Sequence, residues 1–257
     1  MSSDRPVEAF ASTLNACGAV VNLAGEPLMG GRWTAKRREA IETSRIGVTE
    51  RLVAALAAAS ERPHTLVSGS AVGIYGDRGD ERLNEASAEG DDFLARLCRR
   101  WEQAAHAAEP LGVRVVLLRT GVVLAKGGGA LAQMLPPFKL GVGGPIGAGR
   151  QYFPWIHRHD LVRAIAAAVT DTRFRGPING VAPEQVTSRA FARALGLALH
   201  RPAVLPVPAL ALKALFGQAA MVLLSGQRVE PAALMERHFA FEFPMLAAAL
   251  TDIVSGG

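Results

Sequence analysis

Short apolar runs rich in β-branched residues alternate with longer segments of helical periodicity over the first half of the chain. The apolar runs are CGAVVNLAG at 17–25, HTLVSGS at 64–70 and VRVVLLRTGVVL at 113–124. Helical patterns fill 33–59 and 91–109 between them. Strands separated by helices of this length predict parallel βαβ units with right-handed crossovers, and the continuous apolarity predicts a sheet covered on both faces.

The rhythm changes in the second half of the chain. A glycine-rich segment at 127–149 precedes the sequence WIHRHD, where a helix is predicted to begin near His159 or Asp160. The alternation resumes with a short strand at 177–182 and a helix at 188–199. Proline-punctuated sequence and further helical pieces then complete the chain.

These patterns predict an α/β fold, a Rossmann-like doubly wound parallel sheet with a smaller C-terminal substrate lobe. The predicted core spans 1–182, with 127–155 as a glycine-rich insertion on the substrate side, and the small C-terminal domain spans 183–257. The stretch GVGGPIGAG at 141–149 neither follows a strand nor opens directly into a helix. We therefore interpret it as a turn-forming loop beside the substrate crevice rather than as a phosphate cradle.

Composition narrows the range of partners. The chain of 257 residues is 49% hydrophobic with a formal net charge of +5, and no apolar run reaches the roughly 18 residues that span a bilayer. A basic stripe with interleaved aromatic residues is missing, so nucleic acid is not expected as a partner. Because no apolar run is long enough to span a bilayer, a membrane is not expected as a partner either. Two cysteines, Cys17 and Cys98, are too few for a disulfide framework or a zinc site. Without a secretory signal, an intracellular and foremost cytoplasmic location is expected, with an organellar address left open.

The carboxyl ends of the three predicted strands mark the candidate site. In open parallel sheets, ligands bind in the crevice outside these ends. That rule selects Asn22–Gly25, Ser68–Tyr75 and Arg119–Val123 from position alone.

Four motifs at and beyond these strand ends together resemble the atypical extended short-chain dehydrogenase/reductases. They are NLAG at 22–25, SGSAVGIYG at 68–76, LLRTGVVLAKGGGAL at 117–131 and GGPIGAGRQYFPWIH at 143–157. The tail sequences LLSGQRVEPAAL and FAFEFPMLAAAL are similar to the small conserved C-terminal domain of an epimerase-family group among these proteins. The resemblance implies a Rossmann-type domain that binds NADP(H) and acts on a small molecule which the sequence does not identify.

The resemblance also implies roles for residues on the three strand ends, on one helix and in the WIH motif. It assigns the adenosine side of the cofactor to Asn22, Leu23, Ala24, Gly25 and Arg45, the nicotinamide ribose to Ser68, Gly69 and Ser70, the nicotinamide to Thr120, Gly121 and Val122, and the substrate crevice to Trp155 and His157.

One departure from the family pattern concerns the phosphate-binding turn. Such folds begin with a strand, a glycine-rich turn and a helix whose N-terminus receives the pyrophosphate. The chain has no glycine before Gly18, so its first visible strand is expected to correspond to the fourth strand of the family. Roughly the first 50 residues of the family pattern are then expected to be absent, which would weaken cofactor binding.

A second departure concerns proton transfer. Most of the superfamily uses a Tyr and a Lys one helical turn apart, and alignment on WE at 101–102 puts Leu94 and Cys98 at those positions. Ser70 matches the family serine, and Tyr75 carries a phenol in the same strand-end loop. Both are candidate catalytic residues, although Tyr75 is also interpretable as an aromatic that closes a turn. The HxHD motif lacks a third partner, so no metal is expected.

Three functions remain open at this point. The first is an NADP(H)-dependent oxidoreductase or epimerase of unknown substrate. The second is a sensor or scaffold that binds NADP(H) without turnover, and the third is a shortened form that does not bind the cofactor. A homodimer is a further open alternative.

Overall fold

The computed structural model describes residues 7–255. In chain order its strands are β1 Ala19–Asn22, β2 Thr65–Ala71, β3 Arg82–Leu83, β4 Arg114–Thr120, β5 Val122–Leu124, β6 Trp155–His157, β7 Gly176–Gly180 and β8 Arg228–Val229. Its α-helices are α1 Val7–Leu14, α2 Ala35–Glu42, α3 Val48–Ala58, α4 Phe93–His106, α5 Gly129–Lys139, α6 Arg158–Thr170, α7 Ser188–Ala198, α8 Ala209–Phe216, α9 Met221–Leu224, α10 Ala232–Glu236 and α11 Leu246–Ser255. A π-helical turn, Thr43–Gly47, joins α2 to α3. None of these helices is long and apolar enough to cross a membrane.

The main sheet has four parallel strands in the order β1-β2-β4-β7 within the described residues. Its register aligns Asn22 with Ser68, and Ala71 with Thr120. The three predicted strand ends therefore lie side by side at one edge of the sheet. The predicted doubly wound α/β fold is confirmed.

Both faces of the sheet are covered, as the continuous apolarity of the strands predicts. Leu66, Val115 and Leu117 pack with residues of α1, α3 and α4 in one cluster. Val116 and Leu118 pack with residues of α6 and α10 in another. Each strand buries side chains on both sides, so a polar residue in a strand needs a partner inside the protein.

A third apolar cluster holds the C-terminal part of the chain against the short strands β5 and β6. Leu124 and Trp155 contribute from the strands, Phe138 from α5, Phe191 from α7 and Leu250 from α11. The strands β5 and β6 pair in parallel, separately from the main sheet. The lobe after β7 is thus packed on a two-stranded extension of the core.

The segment 127–149, described from the sequence only as glycine-rich, contains the helix α5. Gly127 and Gly129 adopt positive φ angles of 73° and 63°, so these glycines form the turn that starts the helix. Leu131 and Phe138 bury its apolar side. The turn-forming interpretation holds for GVGGPIGAG itself, where Gly144 lies so close to Leu205 that an added Cβ would be 2.1 Å from its carbonyl oxygen.

The WIH motif forms strand β6, which leads directly into a helix. Helix α6 begins at Arg158, directly after the motif, with His157 as its N-cap. The predicted start near His159 or Asp160 is therefore late by one or two residues.

Candidate functional site

Asn22, at the carboxyl end of β1, is fixed by the helices behind it. Its Nδ2 donates to Thr49 Oγ1 at 3.0 Å, and Trp101 Nε1 donates to the same oxygen at 3.0 Å. Asn22 Oδ1 accepts a hydrogen bond from Ala24 N at 3.3 Å, which shapes the turn of the NLAG motif. Asn22 therefore organises the strand end that the resemblance assigned to the cofactor.

Arg45 lies against this turn. A Cβ added to Gly25 would be 2.9 Å from the Arg45 guanidinium carbon, so only glycine permits this contact. The guanidinium donates to Glu26 O at 3.0 Å and lies over the Trp101 ring at 5.4 Å. Burial lowers the pKa of Arg45. The Arg45 side chain thus reaches the strand end that the resemblance assigned to the adenosine side of the cofactor, where it supports the backbone of the turn.

The same strand end exposes apolar surface. Val21 is 43% exposed and Leu23 is 53% exposed, although both belong to or follow a strand of the main sheet. Ala24 is half-buried and Gly25 is exposed next to them. An apolar edge beside fixed polar groups is typical of surfaces that receive a planar ring.

Ser70, at the end of β2, belongs to a buried ionic network. Its Oγ donates to Glu102 Oε1 at 2.6 Å. Arg119 donates two hydrogen bonds of 2.9 Å to the same carboxylate, from Nε to Oε1 and from Nη2 to Oε2. All three side chains are buried. Hydrogen bonding and charge from Glu102 outweigh burial and hold the pKa of Arg119 above its usual range. The Arg119 guanidinium therefore stays charged in the interior.

Tyr75 lies at the far side of Arg119 and is enclosed by the protein. Its hydroxyl donates to Asn179 Oδ1 at 2.7 Å and accepts from Arg119 Nη1 at 3.1 Å. The residue has no exposed surface, and burial raises the pKa of its phenol. This placement does not match a catalytic acid in an open crevice, because the phenol is shielded from solvent, its proton is donated to Asn179 and its oxygen accepts from Arg119.

Glu85 completes the network, although its sequence context is an acidic loop. Its Oε1 accepts from the backbone N–H groups of Asn179 at 2.9 Å and Ala233 at 3.1 Å. Its other oxygen, Oε2, is buried without a hydrogen-bond partner in the described residues. The sequence contained one signal for this network, the charged Arg119 within the apolar run VRVVLLRT, because a buried arginine requires a partner.

Thr120, Gly121 and Val122 carry the chain out of the main sheet. All three are half-buried, and Val122 N donates to Pro154 O at 2.7 Å. An added Cβ at Gly121 would lie 2.7 Å from the same Pro154 oxygen. The glycine therefore permits a close backbone crossing beside the ends of β2 and β4. Ser68 and Gly69 lie within β2, close to its carboxyl end, and the Trp101 ring packs against Gly69.

Trp155 and His157 do not face the strand-end crevice. Trp155 is 1% exposed, and its Nε1 donates to Glu184 O at 3.0 Å. His157 lies on the Phe243 ring at 4.0 Å, and its Nε2 is 3.3 Å from Asp252 Oδ2. The expected substrate-facing position is thus replaced by a structural one, in which both residues join β6 to the C-terminal segment.

Leu94 and Cys98 offer no substitute for the missing Tyr and Lys. Cys98 is buried, and burial raises the pKa of its thiol to about 12. Leu94 packs over Gly73. Each histidine of the HxHD motif pairs with one carboxylate. No group of three or more metal-ligand side chains occurs in residues 7–255.

A concavity in the described part of the chain lies at the opposite edge of the sheet. It measures about 550 Å³ and is lined by Gly18, His64, Thr65 and Arg114, among others. The Arg114 guanidinium donates hydrogen bonds to Thr65 Oγ1 and to carbonyls of α6 and of the loop after it. Because the Arg114 guanidinium is already hydrogen-bonded within the protein, this concavity is a weaker candidate for a ligand site than the strand ends.

A parallel sheet with helices on both faces and fixed polar groups at its carboxyl ends defines a Rossmann-like α/β protein. The chain belongs to the NAD dependent epimerase/dehydratase family, whose model matches residues 2–179. A second model, described as a domain of unknown function (DUF1731), matches residues 207–253.

Individual relatives agree with this membership. The chain is 42% identical over 249 residues to epimerase family protein SDR39U1 of Bos taurus, covering 95% of this chain and 84% of the relative. It is 46% identical over 238 residues to the chloroplastic SDR39U1 homolog of Arabidopsis thaliana, covering 92% of this chain and 68% of the relative. The crystal structure of human SDR39U1 isoform 2, solved with NADPH, superimposes with a TM-score of 0.92 at 37% identity, covering 99% of this chain and 90% of that one.

Proposed function

We propose that the chain binds NADP(H) across the carboxyl ends of β1, β2 and β4 and acts on a small molecule as an oxidoreductase or epimerase. The observation that carries this proposal is the convergence of Asn22, Ser70 and Thr120 at one edge of the sheet. The NADPH in the similar human structure supports the choice of cofactor.

The residues present fit a nucleotide at this edge. The exposed side chains of Val21 and Leu23 supply apolar surface, and the turn at Ala24 and Gly25 is open to solvent. Asn22 and Arg45 hold that turn from behind through the hydrogen bonds described above. A ring lying on Leu23 would remove this apolar surface from water, which favours binding.

Proton handling falls to the protein's own side chains. NADP(H) bound at this edge would supply or accept a hydride at a substrate carbon. We assign the proton to Ser70: when a substrate hydroxyl is oxidised, its proton passes to Ser70 Oγ while the Ser70 proton passes to Glu102. The carboxylate accepts it through the 2.6 Å hydrogen bond already present, and Arg119 fixes its orientation.

A second candidate, NADP(H) binding without turnover, is favoured by a different observation. The Tyr75 hydroxyl is enclosed, and the Cys98 thiol has a pKa of about 12, so neither exchanges protons with a ligand at neutral pH. In this alternative the Ser70–Glu102 bond is only structural. The strand ends then shape a pocket that reports cofactor concentration.

Fluorescence titration of the purified chain with NADPH tests binding. We expect saturable binding, and we expect Leu23→Glu to weaken it about tenfold, because a carboxylate would replace apolar surface beside a polyanion. Val162→Glu is the matched control, since Val162 is 58% exposed on α6. Absence of saturable binding would contradict the proposal and favour a form that does not bind the cofactor.

A screen of sugars, ketones and aldehydes, followed both by NADPH oxidation and by the formation of an epimer, separates the two candidates. With an active substrate, we expect Ser70→Ala to lower kcat about a hundredfold, because the variant loses the proton-transferring hydroxyl. Tyr75→Phe is expected to keep kcat within about threefold, since its phenol does not reach the crevice. Binding without any turnover would favour the sensor, and an unchanged kcat in Ser70→Ala would remove the role of Ser70.

The compartment is a further part of the proposal. Cys17 is exposed and Cys98 is buried, and both thiols are free. Free cysteines support a reducing, intracellular compartment.

A further inference from the structure

Two long stretches of the chain contain no acidic residue at all. Neither Asp nor Glu occurs from Pro110 to His159 or from Gln185 to Val229. Exposed basic residues within these stretches are Lys126, Lys139, Arg150, Arg158, Arg189, Arg193, Arg201 and Lys213. The formal charge of the whole chain is only +5, so its acidic residues are concentrated elsewhere.

The structure brings parts of these two stretches together in one surface, which we call the acid-free face and define as residues 139–147 and 197–215. Leu205 N donates to Gly143 O at 3.3 Å, and Val207 N donates to Pro145 O at 2.9 Å. Arg201 Nε donates to Lys139 O at 3.1 Å. The hydrogen bonds join the end of α5 to the proline-rich segment before α8.

Large apolar side chains stand exposed on this face. Leu140 is 77% exposed, Val204 is 74% exposed and Leu210 is 79% exposed. Leu197, Leu215, Val142 and Leu205 are each at least half exposed as well, so most of the exposed large apolar residues of the described chain lie here. Side chains this exposed protrude from the surface instead of lining a groove. Contiguous apolar exposure of this kind marks an interaction surface.

The charge of the face selects among the candidate partners. A second copy would bring the basic residues of one face against those of the other, which costs free energy. Single-stranded nucleic acid would need exposed stacking aromatics, and the exposed large apolar residues of this face are leucines and valines. Protruding aliphatic side chains flanked by Lys and Arg match a bilayer surface that carries anionic headgroups.

We propose that the acid-free face is a peripheral membrane-binding surface for anionic phospholipids. Leu140, Val204 and Leu210 enter the interfacial region of the bilayer, and Lys139, Arg201 and Lys213 contact lipid phosphates. This proposal departs from the expectation that a membrane is not a partner, which rested on the lack of a bilayer-spanning apolar run. No membrane-spanning helix is required here, because apolar insertion and headgroup charge act together. The proposal is independent of cofactor turnover, since the strand-end residues are not part of this face.

Co-sedimentation of the full chain with lipid vesicles tests the proposal. Vesicles of phosphatidylcholine alone are compared with vesicles containing equal parts of phosphatidylcholine and phosphatidylglycerol. We expect binding only to the anionic vesicles, weakened by added salt. The variants Leu140→Glu and Val204→Glu should each weaken it about tenfold, and Lys213→Glu about fivefold or more.

The matched control is Val162→Glu, which adds the same charge at an exposed apolar residue on a different face. It should leave vesicle binding unchanged, and far-UV circular dichroism checks that every variant is folded. Equal binding to neutral vesicles, equal loss in Val162→Glu, or no vesicle binding would each overturn the proposal. So would a dimer of the parent chain that Val204→Glu converts to a monomer on size-exclusion chromatography, since a second copy would then be the occupant.

Discussion

Arg119 shows how one charged residue in a buried strand determines its surroundings. Its guanidinium is 6% exposed, so desolvation must be offset, and Glu102, Tyr75 and a backbone carbonyl provide the acceptors. The side chains that meet here come from β2, β4, α4 and the loop after β2. A buried ion pair held by several hydrogen bonds favours one alignment of these elements over others.

Replacing Glu102 should reveal the cost of leaving Arg119 unpaired. We expect Glu102→Gln to lower the free energy of unfolding by about 3 kcal/mol, because a buried charge loses its counterion. Glu26→Gln, at a solvent-exposed pair with Arg37, should cost less than about 1 kcal/mol. Urea denaturation measures both. Similar losses in the two variants would show that burial adds nothing to the Arg119 pair.

His157 should make stability depend on pH. Burial lowers its pKa below the ordinary value of 6.5, while Asp252 and Asp160 raise it and His159 lowers it further. Because the unfolded chain then takes up the proton at a higher pH than the folded chain, stability present above the unfolded pKa is lost as the pH falls through it. Protonation also removes the acceptor with which His157 Nδ1 caps α6 through His159 N.

The matching variant is His157→Asn, which keeps a capping acceptor without a titrating ring. Between about pH 7.5 and pH 5.5 the melting temperature of the parent should fall more steeply than that of the variant. Thermal unfolding followed by circular dichroism measures the slope, with His64→Asn, at an exposed histidine, as the control. Parallel slopes in the parent and His157→Asn would contradict the prediction.

The sequence located some site residues and misplaced others for a physical reason. Asn22, Ser70 and Thr120 follow from a general rule about parallel strands, so their meeting at one edge was predictable. The side-chain directions of Tyr75 and His157 depend on partners more than 80 residues away, Asn179 and Asp252. Periodicity carries no information about such contacts.

At the scale of elements, the main strands and their flanking helices were predictable because each has a long, uniform pattern. Helix α5 was not, since it begins at the last of three consecutive glycines and Pro136 and Pro137 lie inside it. Its helical conformation is stabilised by tertiary packing of Leu131 and Phe138 rather than by propensity. Strand β6 was missed because its three residues are too short for a periodic signal.

The crossing of β4 into β5 depends on one glycine. Gly121→Ala would bring a Cβ within 2.7 Å of Pro154 O and 2.9 Å of Val181 Cγ1. We expect a loss of about 1–3 kcal/mol in unfolding free energy, because backbone on one side leaves little room to relax. Gly18→Ala, where an added Cβ meets nothing within 4 Å, is the control for removing a glycine. Equal stability of the two variants in urea would count against a steric role.

At the scale of the whole molecule, Asp160 ties the C-terminal segment to the core. The residue is completely buried at the start of α6, and its carboxylate accepts from Glu242 N at 2.9 Å and Phe243 N at 2.8 Å. Arg163 pairs with it at 3.2 Å. The contact between His157 and Asp252 is a second attachment of the C-terminal segment to the core.

Removing this attachment should loosen the C-terminal segment selectively. In Asp160→Ala we expect faster amide hydrogen exchange over 240–255 than over β2 and β4, with an overall loss of about 3 kcal/mol for the charged hydrogen bonds. Hydrogen exchange followed by mass spectrometry resolves the two regions. Glu236→Ala, at a side chain that is 75% exposed in the same lobe, should leave exchange unaltered. Uniform acceleration throughout the chain would instead indicate global destabilisation.

The attachment of α6 by residues near the end of the chain has a consequence for synthesis on the ribosome. The apolar cluster beneath α6 includes Ala233 and Leu234, with Phe239 and Phe241 packed against it. Until these residues have left the exit tunnel, the face of the nascent sheet under α6 is only partly covered while β1, β2 and β4 are already free to pair. Apolar surface exposed in this way is prone to aggregation, and a chain that ends before Asp252 lacks the contact of that residue with His157.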